Sequence, residues 1–166
     1  MDKVRFYLVF AIRGMNPNEK EKQTQALKII FETLSRYGAV LNAEVVRDFL
    51  NNGRDTPTDD IIYKRDIAWL IETNVMVILY GHSFGGGYES GFWDALRKMG
   101  VINSDNAIAF FSPNTNPSAL CNGNPNITKT SFNSPEEVGQ KLEEYLQKTL
   151  QLEEYFKKTP CLSLRS

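Results

Sequence analysis

The stretch that most constrains this chain is Val75-Met76-Val77-Ile78-Leu79-Tyr80, which runs straight into Gly81-His82-Ser83-Phe84-Gly85-Gly86-Gly87. An apolar run without polar alternation reads as a strand covered on both faces. A glycine-rich turn and a helix after it make a strand–turn–helix unit. The rest of the chain repeats that alternation. Val4 to Val9 reads as a strand and Phe10 to Asn16 as a loop. A helix then runs to about Tyr37, with Leu27, Ile30, Phe31 and Leu34 at helical spacing and Gly38 as its stop. Ala39 to Val45 reads as a second strand, and Asn51 to Pro57 is polar and turn-rich. A helix from about Thr58 to Thr73 leads into the Val75–Tyr80 strand. A further pair is the helix from about Gly87 to Met99 and the strand Ala107 to Phe111. A short strand near Thr128 to Phe132 precedes a last helix. Ser134-Pro135-Glu136-Glu137 opens it as a capping box with Pro at the first helical position.

Such alternation predicts an α/β fold: a mostly parallel, doubly wound, flavodoxin- or Rossmann-like sheet of about five strands with helices on both faces. Ligands on these sheets bind outside the carboxyl ends of the strands, at the topological switch point. Three segments should meet there: Phe10–Asn16, the segment after Val45, and Gly81–Glu89. The 166 residues suit one domain over 1–158, with a loose tail at 159–166. Nineteen Lys and Arg against twenty Asp and Glu leave no basic surplus for nucleic acid. No apolar run is long enough to span a bilayer, and no signal segment opens the chain. The two cysteines, Cys121 and Cys161, make no disulfide framework, and no Cys/His cluster suits a metal. The reading is an intracellular protein, cytoplasmic or nuclear.

Gly81-His82-Ser83-Phe84-Gly85 has the spacing of a serine-hydrolase nucleophile elbow, in the right strand-to-helix context. A triad on that fold needs a histidine after the serine. The single histidine of the chain is His82, inside the motif, so Ser83 has no such base. The segment reads better as an anion cradle. Ser83, Gly85, Gly86 and Gly87 offer a hydroxyl and backbone N–H groups at a helix start. Arg13-Gly14, after the first strand, can add a charged donor. A flexible turn and a solvated Arg fit the same residues.

Two carboxylates complete the set. Ile62, Asp66, Trp69 and Leu70 fall on one helix face, and a carboxylate in an apolar stripe is costly to bury unless partnered. Spacing alone fits a partly exposed Asp at the stripe edge as well. Glu89 falls in the first turn of the helix after the glycines, where the helix start favours its ionised form. A routine first-turn Glu fits the same pattern. Two carboxylates meeting at the strand ends would suit cleavage of a glycosidic bond. Tyr7, near the end of the first strand, is placed either to bond one of them or to fill the sheet core.

Together these residues resemble the 2′-deoxynucleoside 5′-phosphate N-hydrolases of the nucleoside 2-deoxyribosyltransferase superfamily. Tyr7-Leu8-Val9-Phe10-Ala11-Ile12-Arg13-Gly14 is similar to that family's first strand and Gly-Ser-Ile-Arg-Gly loop. Ile62-Tyr63-Lys64-Arg65-Asp66-Ile67-Ala68-Trp69-Leu70 is similar to its Asp-Leu-Glu-Trp-Leu helix. Ser83-Phe84-Gly85-Gly86-Gly87-Tyr88-Glu89-Ser90-Gly91 is similar to its Ser-x-Gly-x-Gly-Tyr-Glu-x-Gly. Ser118-Ala119-Leu120 matches a later Ser-Ala-Met stretch more loosely.

The resemblance implies a homodimeric enzyme that cleaves a deoxynucleoside monophosphate into base and 2-deoxyribose 5-phosphate. It implies no metal and no organic cofactor. Glu89 would be the nucleophile, Asp66 the acid/base partner and sugar contact, and Tyr7 the group that orients the nucleophile. Ser83, Arg13 and Gly14 would hold the 5′-phosphate, Ile12, Gly85 and Gly87 would also contact the substrate, and Ser118 would reach a phosphate across a homodimer interface. The chain departs from the pattern at Phe10-Ala11, in place of Gly-Ser, which would bring a bulky ring near the pocket. It departs again at Glu44, in place of His, which would turn a negative charge toward it. Base exchange by a deoxyribosyltransferase and a non-catalytic nucleotide-binding module are the competing readings.

Overall fold

A computed structural model describes residues 4–10, 15–52, 59–80, 85–102, 106–112 and 123–158. Within them, five strands alternate with helices: β1 (Arg5–Phe10), α1 (Pro17–Tyr37), β2 (Ala39–Val40), α2 (Ala43–Asn52), α3 (Asp59–Glu72), β3 (Val75–Leu79), α4 (Gly85–Lys98), β4 (Asn106–Phe111), β5 (Ile127–Ser131) and α5 (Pro135–Lys158). All pairings are parallel, in the order β2-β1-β3-β4-β5. This is the doubly wound α/β sheet expected from the alternation.

Strand side chains alternate between two cores. Phe6 and Leu8 of β1 and Val75, Val77 and Leu79 of β3 meet Leu27, Ile30 and Leu34 of α1, Val46 of α2, and Val138, Leu142 and Leu146 of α5. Tyr7 and Val9 of β1 and Met76 and Ile78 of β3 face the other way, onto Leu70 of α3 and Trp93 and Leu96 of α4. All five residues of β3 are buried, as a central strand requires. From β1 the chain steps outward to β2, then returns past β1 to β3. The switch point therefore lies between β1 and β3.

Helix starts follow local chemistry. The Asn16 side chain accepts from Glu19 N at 2.9 Å, with Pro17 just inside α1. At α5 the carboxylate of Glu137 reaches back as expected of a capping box, but it accepts from Asn133 N at 3.2 Å. That N–H lies one residue further out than the pattern predicts.

The second strand is the clearest correction. Instead of running to Val45 it ends at Val40, and Ala43–Asn52 is helical. Asn42 explains the early end. Its buried amide donates from Nδ2 to Leu8 O at 2.7 Å and accepts at Oδ1 from Leu8 N at 3.2 Å. One side chain thus supplies both bonds that a longer β2 would give to β1, and the backbone is free to turn into α2. Asn42→Ala should cost about 2–3 kcal/mol, because it leaves a buried N–H and C=O without partners. Urea unfolding would register this as a lower midpoint at unchanged slope.

Gly38 is set by space rather than by dihedral freedom, since its φ of −177° is ordinary extended backbone. A Cβ there would collide with the Val4 carbonyl oxygen and come within 2.9 Å of the Phe6 ring. Gly38→Ala should therefore lower stability by about 2 kcal/mol, as overpacking against backbone does. The same unfolding titration checks it.

Candidate active site

The α3/α4 face of the sheet brings together Tyr7, Asp66 and Glu89. Tyr7 is the third residue of β1, in mid-strand rather than near its end, and is 2% exposed. Its hydroxyl donates to Glu89 Oε1 at 2.7 Å, joining residues 82 positions apart. Glu89 projects from α4 on the same face as Trp93, one turn further on. Trp93 is fully buried, so its packing brings that face of the helix against the sheet.

The structure corrects the environment expected for Glu89. Its helix begins at Gly85, so the three glycines are first-turn residues and Glu89 stands one turn deeper. The first N–H groups of a helix have no intrahelical partner, so these glycines offer backbone donors at its start. Burial pushes the Glu89 carboxyl up to about 7. The Tyr7 hydrogen bond pulls it down and the Asp66 charge pushes it up, so burial prevails over the hydrogen bond. Burial, with the charges of Glu89 and Asp66, drives Tyr7 far above its ordinary value, and Arg65 opposes this. The phenol is thus held as a donor, and Glu89 always has a proton aimed at one oxygen. Tyr7→Phe should move the Glu89 titration above pH 7, visible in the carboxyl 13C shift of labelled Glu89.

Asp66 stands on α3 with its side chain 20% exposed, at the edge of the stripe, and accepts from Arg65 Nε at 3.3 Å. Its charge acts on both Tyr7 and Glu89, which places the three groups in one cluster. The Trp69 ring lies 6.1 Å from the Tyr7 ring, tilted by 41°. The Arg65 guanidinium sits 4.7 Å from the Trp69 ring centre. Composition alone does not single out Arg65. Its i, i+4 relation to Trp69 is the signal in the sequence that carries it.

Two other named residues do not join this cluster. The Phe10 ring packs edge-on against Phe49 of α2, with centroids 5.3 Å apart, and belongs to the opposite core. Glu44 is exposed in the first turn of α2. Gly85 and Gly87 contribute backbone at the start of α4. Ile12, Arg13, Gly14, Ser83 and Ser118 lie outside the described residues, as does the tail at 159–166. Among the described residues, no group of three or more His, Cys, Asp or Glu could hold a metal ion. No described helix is long and apolar enough to cross a membrane.

A part-buried carboxylate whose pKa burial raises, a phenol held as its donor and a second carboxylate within electrostatic reach have the chemistry to stabilise or capture an electron-poor carbon. No protein-family model matches the chain. It is 34% identical over 97 residues to a 5-hydroxymethyl-dUMP N-hydrolase from Danio rerio. That match takes in 57% of this chain, which spans 64% of the relative's length. In structure it is similar to a CMP N-glycosidase from Clostridium botulinum, with a TM-score of 0.57 at 22% identity, over 86% of this chain and 99% of the other. The resemblance drawn from the motifs is thus matched in sequence by a nucleotide N-hydrolase, and the fold is shared with a nucleotide N-glycosidase.

Proposed function

We propose that this protein hydrolyses the N-glycosidic bond of 2′-deoxynucleoside 5′-monophosphates, releasing the base and 2-deoxyribose 5-phosphate. The observation that carries the reading is the part-buried Tyr7–Glu89 hydrogen bond beside Asp66. In the proposed reaction a Glu89 carboxylate oxygen bonds to C1′ as the C1′–N bond breaks. The electron pair leaves with the base, which takes up a proton relayed by Asp66. Water then attacks C1′, gives its proton to the same relay and frees Glu89 as carboxylate. Tyr7 keeps one Glu89 oxygen engaged and so fixes the orientation of the other. Without a 2′-hydroxyl, the substrate lacks an electron-withdrawing group beside the carbon that becomes cationic, which favours deoxy substrates.

The 5′-phosphate would sit at the start of α4, against Gly85 and Gly87, with Ser83, Ile12, Arg13 and Gly14. Binding energy from that remote group can position the sugar. A homodimer, with Ser118 reaching across, belongs to the same proposal. The 5-hydroxymethyl-dUMP activity of the Danio rerio relative supports a deoxynucleotide substrate and makes a modified pyrimidine a natural member of any substrate panel.

The test is incubation of the purified protein with each deoxynucleoside monophosphate, 5-hydroxymethyl-dUMP, CMP and the unphosphorylated nucleosides, following free base by chromatography. Base released from deoxy monophosphates alone supports the proposal. Release that requires an added acceptor base identifies a transferase, and no release from any substrate rejects N-glycosidase activity. The pH dependence adds a check. Attack needs the carboxylate, so kcat/KM should rise with pH through an acid limb near 7, the value to which burial pushes Glu89.

A further inference from the structure

We infer that Arg65 is a positioning residue of this site, holding the Asp66 carboxylate and the Trp69 ring in the places from which they act on Tyr7 and Glu89. The inference rests on the proposed reaction for its kinetic part and on geometry for the rest. One guanidinium makes two contacts at once: Nε to Asp66 Oδ1 at 3.3 Å, and its plane centre 4.7 Å from the Trp69 ring. Either contact alone would leave it free to swivel, whereas the two together fix it. Both charged side chains are about four-fifths covered, at 22% and 20% exposure, so solvent screens the pair less than a surface pair.

The contacts then run inward. Trp69 leans on Tyr7, and Tyr7 donates to Glu89. The Arg65 charge is felt at Tyr7, against the charges of Asp66 and Glu89. Two carboxylates and a phenol gathered in one part-buried cluster repel one another as soon as they ionise. A cation fixed at the rim offsets that repulsion without entering the reaction. Lysine would carry the charge but lacks the flat, delocalised face that lies on an indole and the Nε–H directed at Asp66.

The experiment compares Arg65→Met and Arg65→Lys with the wild-type full chain. It uses the deoxynucleoside monophosphate that the wild type cleaves fastest, together with acrylamide quenching of tryptophan emission. Trp93 is fully buried, so quenching reports chiefly on Trp69. Arg65→Met should lower kcat by about 30-fold with KM changed less than about 3-fold, as misplacement of catalytic groups does. Its quenching should rise about 2-fold, and Arg65→Lys should recover part of both losses. In a double-mutant cycle with Asp66→Asn, adding Arg65→Met should cost less than about 3-fold more, because the two act as one unit.

A raised KM at unchanged kcat, or additive losses in the cycle, would overturn the inference by making Arg65 an independent substrate contact. Unchanged quenching in Arg65→Met would overturn the clamp on Trp69. If Arg65→Met does not fold, the quenching and kcat of Arg65→Lys decide. A wild type that cleaves no nucleotide would defeat the proposed function, while the quenching comparison would still judge the clamp.

Discussion

In Glu89→Gln, cleavage of a deoxynucleoside monophosphate should fall by roughly 10^4-fold while the nucleotide still binds. Gln keeps the size of Glu and can still accept the Tyr7 hydrogen bond, so the site should hold its shape. What it lacks is the negative charge that faces the anomeric carbon as positive charge develops there. It also lacks the ability to form and release an ester to C1′. The loss should fall on kcat, since the phosphate and sugar contacts remain. Asp66→Asn should be milder, about 10^2-fold, because it removes proton relay but not the nucleophile. Tyr7→Phe should be milder still once the pH is high enough to ionise Glu89, whose titration it moves above pH 7. Equal losses in all three variants would argue for a purely structural cluster. Retained turnover in Glu89→Gln would reject the covalent route. The readouts are single-turnover base release by chromatography and nucleotide affinity by calorimetry.

How far these residues could be read from the sequence depended on the range of the interaction that places them. The β3 run and the Leu27, Ile30, Phe31 and Leu34 stripe are local patterns, and all are buried where the patterns put them except Phe31, which packs partly covered at the edge of the core. The strand read from Ala39 to Val45 failed because its outcome was tertiary. The amide of Asn42 completes the ladder to Leu8, and Val46 points its helix into the core. The glycines 85–87 look like loop by propensity, yet the helix begins on them, which moves Glu89 from a charged helix end into a buried wall. That shift reverses the sign of its environment. The meeting of Tyr7 and Glu89 spans 82 residues and lies beyond any periodicity, so strand position offered it only as one of two roles for Tyr7 and the family resemblance chose between them. Arg65 was hidden by being ordinary, since a basic residue beside an acidic one on a helix usually marks a solvated face.

Glu89→Gln should also be more stable than the wild type at about pH 8, by up to about 3 kcal/mol, and should lose that advantage below about pH 4.5. The folded carboxyl titrates at about 7 against 4.5 for the solvent-exposed group, so the folded state binds more protons than the unfolded one between those values. Where the folded state holds more protons, stability falls as pH rises. The contribution of Glu89 is thus fully present below 4.5 and is lost as pH passes 7, at about 1.4 kcal/mol per unit. Gln does not titrate and escapes the loss. For a domain of this size the difference amounts to roughly 5–10 °C in Tm at about pH 8. Thermal unfolding followed by circular dichroism at several pH values reads it directly. A constant offset between the two proteins at every pH would show that Glu89 does not bury its charge on folding. A gap that opens between about pH 5 and 7 would tie the two results together. In the proposed reaction, the same desolvation that would make the carboxylate reactive toward an electron-poor carbon destabilises the fold that holds it, so the most damaging substitution for turnover is expected to be a stabilising one for the chain.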